Sequence, residues 1–376
     1  MANIDFLKNL RKKIASSSAV ESETMKVTGY ISTGSYALNR ILSGSVFKGV
    51  PEGRITMWAG PSGSGKSLIV SQIIRNALNE NNYDIVFYVD SEGGILNSLL
   101  EKTVDLNKIE YVQVATTEEC AIKLLNIYQS IADAQASGEK IKALVVLDSL
   151  GALVPEKLII DATKKDSMVQ DMGTGARLKN SMMSSLMMKV VQTNCAFMVI
   201  NHIYENPGAL FTSKVKNIAG GLKVQYGSHI IVQTAKRLIK TSDGDFGTTA
   251  QNSSRDQDEF FKGNNLTFFT TKNRIVKPGL EASVYIDFDN GISPYDGLID
   301  DAIKYGFIVQ DGRKYVVPSY SNEKKFTWND LLTNSDLWNS FLQDFDKKSM
   351  ENLQYSSKNL VPPELLCEDA KGSEQD

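Results

Sequence analysis

Short apolar runs alternate with helical patterns through the middle of the chain, from about residue 27 to residue 289. The apolar runs predict buried strands at residues 55–59, 85–89, 111–114, 143–147 and 196–200. Between them, apolar residues recur at helical spacing, most clearly over residues 118–134. Continuously apolar strands that alternate with helices are typical of a parallel sheet buried on both faces. The pattern therefore predicts an α/β fold with a largely parallel sheet flanked by helices.

The ends of the chain and one internal stretch depart from this alternation. Residues 1–28 predict a short amphipathic helix and a linker, which could pack on the core of the same chain or dock on a neighbouring subunit. Residues 241–265 are polar and show no periodicity, so they predict a long surface insertion into a core that spans 29–289. The segment 361–376 is an acidic tail.

The composition changes after residue 289. Helical patterns at 298–305 and 336–345 flank a short predicted strand at 314–317. A small α/β C-terminal domain is expected over 290–360.

Composition and charge bound the class of protein. The chain of 376 residues is 42% hydrophobic and 23% charged, as in ordinary globular proteins. No apolar run approaches the roughly 20 residues that a membrane span needs, and the N-terminus lacks the apolar core of a secretory signal. Cys120, Cys195 and Cys367 are widely spaced, which indicates a reducing compartment such as the cytoplasm. With a net charge of -3, any nucleic-acid-binding surface must be local.

A glycine-rich loop directly follows the strand predicted at 55–59, and a helical pattern follows the loop. In this context backbone N–H groups and the helix N-terminus bind phosphate. The lysine reaches the β- and γ-phosphates of a nucleotide, and the serine after it is a ligand for Mg²⁺. The sequence predicts a P-loop rather than a flexible turn. Its residues are Gly60, Pro61, Ser62, Gly63, Ser64, Gly65, Lys66 and Ser67.

Three predicted strands end in polar side chains that belong with a P-loop, because the carboxyl ends of such strands face the ligand. Asp148 would hold Mg²⁺ through its water shell beside Ser67. Glu92 could activate the water that attacks the γ-phosphate, with a solvated loop carboxylate as the alternative. His202 could contact the γ-phosphate or be a structural histidine; position alone favours neither.

The ordered set of motifs resembles the RecA family of homologous recombinases, and within it the T4-type phage branch. The resemblance runs from about residue 31 to residue 308. Bacterial members carry glutamine where this chain has His202, and histidine there resembles the phage branch and favours a γ-phosphate sensor. The motifs lie at 31–38, 60–67, 88–92, 147–150, 200–205, 220–221, 271–274 and 288–298.

The resemblance implies a role for further residues. It makes Glu92 the catalytic glutamate, and Lys272 and Arg274 cations that reach the γ-phosphate of the neighbouring subunit. It also implies DNA-binding loops at about 155–173 and 204–219. The candidate DNA-contacting residues in or beside these loops are Lys157, Lys164, Lys165, Tyr204, Phe211, Lys214, Lys216, Gly220 and Gly221.

The resemblance further implies a RecA-like core that hydrolyses ATP with Mg²⁺ while it exchanges DNA strands. The implied partners are single-stranded DNA, homologous double-stranded DNA and further copies of the chain in a helical filament. A mediator and a single-stranded DNA-binding protein are also expected, in the cytoplasm of a bacterial host if the chain is phage-encoded. Leu99 departs from the pattern, because relatives carry an adenine-stacking tyrosine there. The alternatives are a hexameric helicase with the same fold and a non-catalytic recombination mediator.

Overall fold

The computed structural model describes residue 11 and residues 26–94, 100–165, 172–204, 216–240, 261–287 and 291–355. Several expectations fall outside these residues. They are the N-terminal helix apart from Arg11, the residues Leu99, Phe211 and Lys214, most of the predicted insertion, and the acidic tail.

One large mixed sheet, ten-stranded within the described residues, forms the centre of the fold. A short ribbon of β1 (Tyr30–Ile31) and β2 (Val50–Pro51) precedes it. The large sheet contains β3 (Ile55–Gly60), β4 (Ile85–Asp90), β5 (Ile109–Gln113), β6 (Ala143–Asp148), β7 (Ala196–Tyr204), β8 (Asn217–Ile218), β9 (Ile230–Lys240), β10 (Phe261–Asn273), β11 (Glu281–Asp287) and β12 (Gly291–Ile292). A separate three-stranded sheet contains β13 (Val309–Asp311), β14 (Lys314–Val317) and β15 (Ser321–Phe326).

The order of strands across the large sheet is β12-β11-β10-β9-β3-β7-β6-β4-β5, with β8 paired to the end of β7. The six strands from β9 to β5 in this order run parallel to one another. The strands β10, β11 and β12 continue the sheet antiparallel. The predicted, largely parallel sheet is therefore confirmed. Because the parallel strands share one direction, their carboxyl ends meet along a single edge.

Helices cover both faces of this sheet. Adjacent residues of one strand join different hydrophobic clusters: Val146 joins one with Trp58, and Val145 joins the other with Met57. Among the described residues, no helix is both long and apolar enough to cross a bilayer. The helices are α1 (Tyr36–Ser43), α2 (Lys66–Asn79), α3 (Thr117–Ala136), α4 (Glu156–Lys165), α5 (Met172–Thr193), α6 (Leu222–Gly227), α7 (Ile299–Lys304), α8 (Trp328–Thr333), α9 (Ser335–Asn339) and α10 (Leu342–Leu353).

The structure corrects three details of the sequence prediction. Residues 261–265 of the expected insertion belong to β10, where Asn264 and Asn265 pair with β9 on one side and β11 on the other. The first expected DNA-binding loop begins with the helix α4. The helix expected at 336–345 is two helices, because Phe341 between them has φ and ψ angles of -140° and -6°, outside the helical region.

The C-terminal segment packs on the core through apolar and charged contacts. Trp338 and Phe345 lie in the same hydrophobic cluster as Leu42 of α1. Arg40 of α1, which is 6% exposed, donates to Asp301 at 2.6 Å. It also donates to the Tyr305 hydroxyl at 2.9 Å and the Ser349 hydroxyl at 3.0 Å. The domain boundary at residue 290 stays a prediction.

Asp346 of α10 offers a test of this packing. Its Oδ1 accepts hydrogen bonds from the Ser45 hydroxyl and the Val46 N–H, both at 2.7 Å, and the residue is 7% exposed. Asp346→Ala leaves both donors without this acceptor, so we expect the free energy of unfolding to fall by about 2 kcal/mol. Chemical denaturation measures it.

The matched control is Asp344→Ala on the same helix. The Asp344 side chain is 72% exposed and lies 3.6 Å from Lys347. An exposed ion pair of this kind contributes little, so its removal should change stability by less than about 0.5 kcal/mol. Equal losses for the two variants would contradict the importance of the Asp346 contacts.

Candidate active site

The glycine-rich loop connects β3 to the first turn of α2 and depends on its glycines. Gly63 and Gly65 have φ angles of 67° and 81°, which glycine adopts without strain. A Cβ at Gly60 would lie 2.1 Å from the Thr234 Oγ1. Gly65 caps α2 without a side-chain hydrogen bond, which leaves the N–H groups of the first turn to a ligand. The loop is built to bring backbone N–H groups close to an anion.

Lys66 folds back onto this loop. Its Nζ donates to the carbonyl oxygens of Gly60 at 3.0 Å and Pro61 at 2.7 Å, and the residue is 6% exposed. Burial lowers the pKa of Lys66, while the charges of Asp148 and Glu92 raise it. An anionic phosphate is a stronger partner for an ammonium group than two carbonyls. Lys66 is therefore held beside the loop where a phosphate would bind.

Ser67 and Asp148 meet as the sequence predicts, with Tyr88 as an unexpected third member. The Ser67 hydroxyl lies 3.3 Å from Asp148 Oδ2, and the buried Tyr88 hydroxyl donates to the same oxygen at 2.5 Å. Burial raises the pKa of Asp148, and the hydrogen bond from Tyr88 opposes that effect. Sequence reasoning missed Tyr88, because it lies inside an apolar run.

This pair of oxygen ligands fits Mg²⁺. Among the described residues, no group of three or more His, Cys, Asp or Glu side chains could hold a metal ion on its own. Mg²⁺ is usually held by one or two protein oxygens together with substrate phosphates and water. Ser67 and Asp148, which lie beside the loop, provide such a partial set of ligands.

Glu92 and His202 also meet at this edge of the sheet. His202 Nε2 lies 2.7 Å from Glu92 Oε1, and the Ser149 hydroxyl donates to the same oxygen. Burial raises the pKa of Glu92, but the bonds from Ser149 and His202 and the charge of Lys66 together lower it. Glu92 is therefore an ionised carboxylate, which suits it to orient a water molecule. Sequence reasoning missed Ser149.

Asp90 fixes the turn that carries Glu92. Its Oδ1 accepts the N–H of Glu92 at 2.8 Å and that of Gly93 at 3.0 Å. Its Oδ2 accepts the Tyr111 hydroxyl at 2.5 Å, and the Tyr111 ring stacks on that of Tyr88 with centroids 6.4 Å apart. The position of Glu92 thus depends on β4, which contains Asp90, and on β5, which contains Tyr111.

His202 lies where the second expected DNA-binding loop returns to the sheet. Its carbonyl oxygen accepts the N–H of Ala219 at 3.0 Å. Gly220 and Gly221 follow with φ angles of 93° and 85°. Tyr204 ends β7 and is 54% exposed. A backbone hydrogen bond therefore joins His202 directly to the residues at the end of this loop.

The lysines proposed for DNA contact have different surroundings. Lys157 and Lys164 are exposed on α4. The Lys165 side chain lies outside the described residues, while Lys216 is half-buried next to β8. Their DNA-binding role stays a prediction.

Lys272 and Arg274 lie far from the P-loop of their own chain. Asn273 between them pairs with Ile230, and Ile230 pairs with Thr56 near the start of β3. The loop begins at the other end of β3, about 13 Å away at roughly 3.3 Å per residue. Beside the starts of β3 and β9, Lys272 donates to the Gln225 and Tyr226 carbonyl oxygens at 2.8 and 3.0 Å.

A P-loop with a serine–aspartate pair and an oriented glutamate, at the carboxyl edge of a parallel sheet, defines a nucleotide-binding protein of the P-loop class. The RecA N-terminal domain family matches residues 5–293, which is more than half of the chain. The chain belongs to this family and has the RecA-like fold, as the order of its motifs predicts.

Individual relatives are similar at modest identity. The "Recombination and repair protein" of Enterobacteria phage T4 is 28% identical over 288 residues, covering 76% of this chain and 66% of that protein. "Protein RecA" of Treponema denticola is 29% identical over 295 residues, with coverages of 78% and 63%. "Protein RecA" of Clostridium tetani is 28% identical over 283 residues, with coverages of 75% and 71%. The chain spans slightly less than two thirds of the first two relatives.

The pKa of Lys272 provides a direct test of its surroundings. Burial is the larger cause and the positive charge of Arg274 the smaller one; together they lower this pKa from 10.5 to about 8. The unfolded chain therefore binds more protons between about pH 8 and 10.5, so this group makes the fold more stable as the pH rises through that window. We expect NMR titration of the Lys272 side chain to give a pKa near 8, with Lys272→Met identifying the signal.

Arg274→Ala should raise that pKa, because it removes a neighbouring positive charge. A value for Lys272 that is unchanged in Arg274→Ala would contradict the electrostatic coupling of the two cations.

Proposed function

We propose that this protein is an ATP-dependent DNA recombinase that forms filaments on single-stranded DNA and pairs it with homologous duplex DNA. The observation that carries the proposal is the position of the candidate site residues at opposite ends of the strands of one sheet. The P-loop and Glu92 occupy one edge, while Lys272 and Arg274 occupy the other. Membership of the RecA family supports the same activity.

The substrate at the first edge is ATP. Lys66 would exchange its two loop carbonyls for β- and γ-phosphate oxygens, and the N–H groups at the start of α2 would bind the same phosphates. When bound by Ser67 and Asp148, Mg²⁺ supplies positive charge against the phosphate oxygens. Glu92 would orient the attacking water while Ser149 and His202 hold its carboxylate.

Lys272 and Arg274 would complete the site of a neighbouring subunit. A contact between opposite edges of identical chains is heterologous, and repetition of such a contact produces a helical filament. Two cations supplied by the neighbour would stabilise the charge that develops on the γ-phosphate. Hydrolysis then depends on assembly.

DNA would bind along the filament at the segments 155–173 and 204–219. Each subunit contributes few lysines, but a filament repeats them along the phosphate backbone of the DNA strand. Loss of the γ-phosphate at His202 would change the position of Ala219 and so of the second segment. A mediator and a single-stranded DNA-binding protein are further proposed partners, in the cytoplasm of a bacterial host.

A hexameric helicase is the second candidate, because a heterologous contact also closes into rings when its rotation divides a full turn. Electron microscopy on single-stranded DNA distinguishes a continuous filament from closed hexamers. A non-catalytic mediator is disfavoured by the complete set of Lys66, Asp148 and Glu92 around one loop.

The direct test of the proposed function is joint-molecule formation. Single-stranded DNA and a homologous duplex are incubated with the protein, with and without ATP and Mg²⁺. We expect joint molecules that require ATP and homology. A protein that hydrolyses ATP and unwinds duplexes but forms no joint molecules would support the helicase instead.

The division of the site predicts complementation between two inactive variants. Lys66→Ala lacks the phosphate-binding cation, and Arg274→Ala lacks the cation for the neighbour, so each alone should lose DNA-stimulated ATP hydrolysis. In an equal mixture, one chain supplies an intact P-loop and the other an intact Arg274. About a quarter of the interfaces, and hence of the wild-type rate, should return.

Arg313→Ala is the matched control, because Arg313 is an exposed arginine in the turn between β13 and β14. It should hydrolyse ATP like the wild type. A mixture without activity, or an Arg274→Ala variant with the wild-type rate, would refute the role of Arg274 in the neighbouring site.

A further inference from the structure

Two buried amide side chains stand on either side of the strand that leads into the P-loop. Asn201 of β7 and Gln233 of β9 both pair with Ala59 of β3, one from each side. Side chains in register on neighbouring parallel strands point to the same face of the sheet. The two amides therefore lie on one face, at the level of Ala59, on the two strands that flank β3. Asn201 is 0% exposed and Gln233 is 6% exposed. Buried amides of this kind need hydrogen-bond partners.

Both amides bind the backbone of one short segment, residues 216–219. Gln233 Oε1 accepts the Lys216 N–H at 2.9 Å, and Gln233 Nε2 donates to the Lys216 carbonyl oxygen at 2.8 Å. At the other end, Asn201 Nδ2 donates to the Ala219 carbonyl oxygen at 2.9 Å. Lys216 is thus held by β9, while residues 217–219 run antiparallel to the end of β7. An amide side chain binds each end of the segment.

The neighbour of Gln233 in β9 contacts the P-loop itself. Thr234 Oγ1 lies 2.7 Å from Ser64 Oγ, and Thr234 is 3% exposed. Consecutive residues of a strand point to opposite faces. The strand β9 therefore holds the return of the second candidate DNA-binding segment on one face and the P-loop on the other.

We propose that Gln233 is a positioning residue, which fixes the second DNA-binding segment to the P-loop strand and thereby sets the affinity for single-stranded DNA. This inference deepens the proposed function and rests on it. By binding both backbone groups of Lys216, the amide fixes the direction of the chain as well as its place. The connection is separate from the one through the His202 side chain, because it reaches the loop from the opposite side of β3.

The test compares two affinities in three variants. Gln233→Leu removes both hydrogen bonds at nearly constant volume, and Gln233→Glu keeps the acceptor for the Lys216 N–H but loses the donor. We measure binding of oligo-dT in the presence of a non-hydrolysable ATP analogue and Mg²⁺, and binding of the analogue without DNA. For Gln233→Leu we expect DNA affinity to fall about tenfold and analogue affinity to change less than about twofold.

Gln233→Glu sets a carboxylate oxygen against the Lys216 carbonyl oxygen, so its DNA affinity should be at least as low as that of Gln233→Leu. Gln310→Leu is the matched control, because Gln310 of β13 is an exposed amide that donates to the Gly312 carbonyl oxygen at 3.2 Å. It should leave both affinities unchanged.

Two results would overturn the inference. One is a wild-type DNA affinity in Gln233→Leu, and the other is an equal loss of DNA and analogue affinity, which a merely structural role would produce. If Gln233→Leu does not fold, hydrogen exchange in the wild type decides: exchange at residues 216–219 should slow when the analogue binds, and unchanged exchange refutes the coupling. Absence of DNA binding by the wild type would instead refute the proposed function.

Discussion

The parallel register of β3, β4, β6 and β7 is the constraint on which the rest of the site depends. In this register Gly60 pairs with His202, and Asp90 pairs with Asp148. A one-residue slip of any of these strands would move its side chains to the opposite face of the sheet and displace its polar end from the others. Gly60 and His202, which are 142 positions apart in sequence, are thus neighbours because the parallel strands all have their carboxyl ends on one side of the sheet.

Around this edge, each candidate functional side chain is held by others, of which sequence patterns singled out only His202. Tyr88 holds Asp148, Ser149 and His202 hold Glu92, and Asp90 holds the turn before Glu92. Burial pushes the pKa of Asp148 and of Glu92 upward, and hydrogen bonds from these partners oppose it. The pKa of each of these two carboxyl groups therefore depends on the balance between burial and hydrogen bonding.

The same sheet explains how one chain would carry only part of the proposed hydrolytic site. Because β10 runs antiparallel to β9, its last residues return to the edge opposite the P-loop. Lys272 and Arg274 meet there the carbonyl oxygens at the end of α6, and not the nucleotide site of their own chain. In the proposed filament, the length of the strands separates the place where a subunit binds ATP from the place where it acts on its neighbour.

The sequence by itself determined the apolar strands, the P-loop, the acids at strand ends and the family. These are local patterns, in which spacing along the chain is also spacing in space. Apart from the predicted meeting of Ser67 and Asp148, only the tertiary structure decided which side chains meet. Tyr88 and Gln233 lie within strands and look like ordinary sheet residues, and residues 261–265 look like loop because their polarity hides the backbone pairing of β10 on both sides. Such contacts join distant parts of the chain, and their partners are set by register and packing.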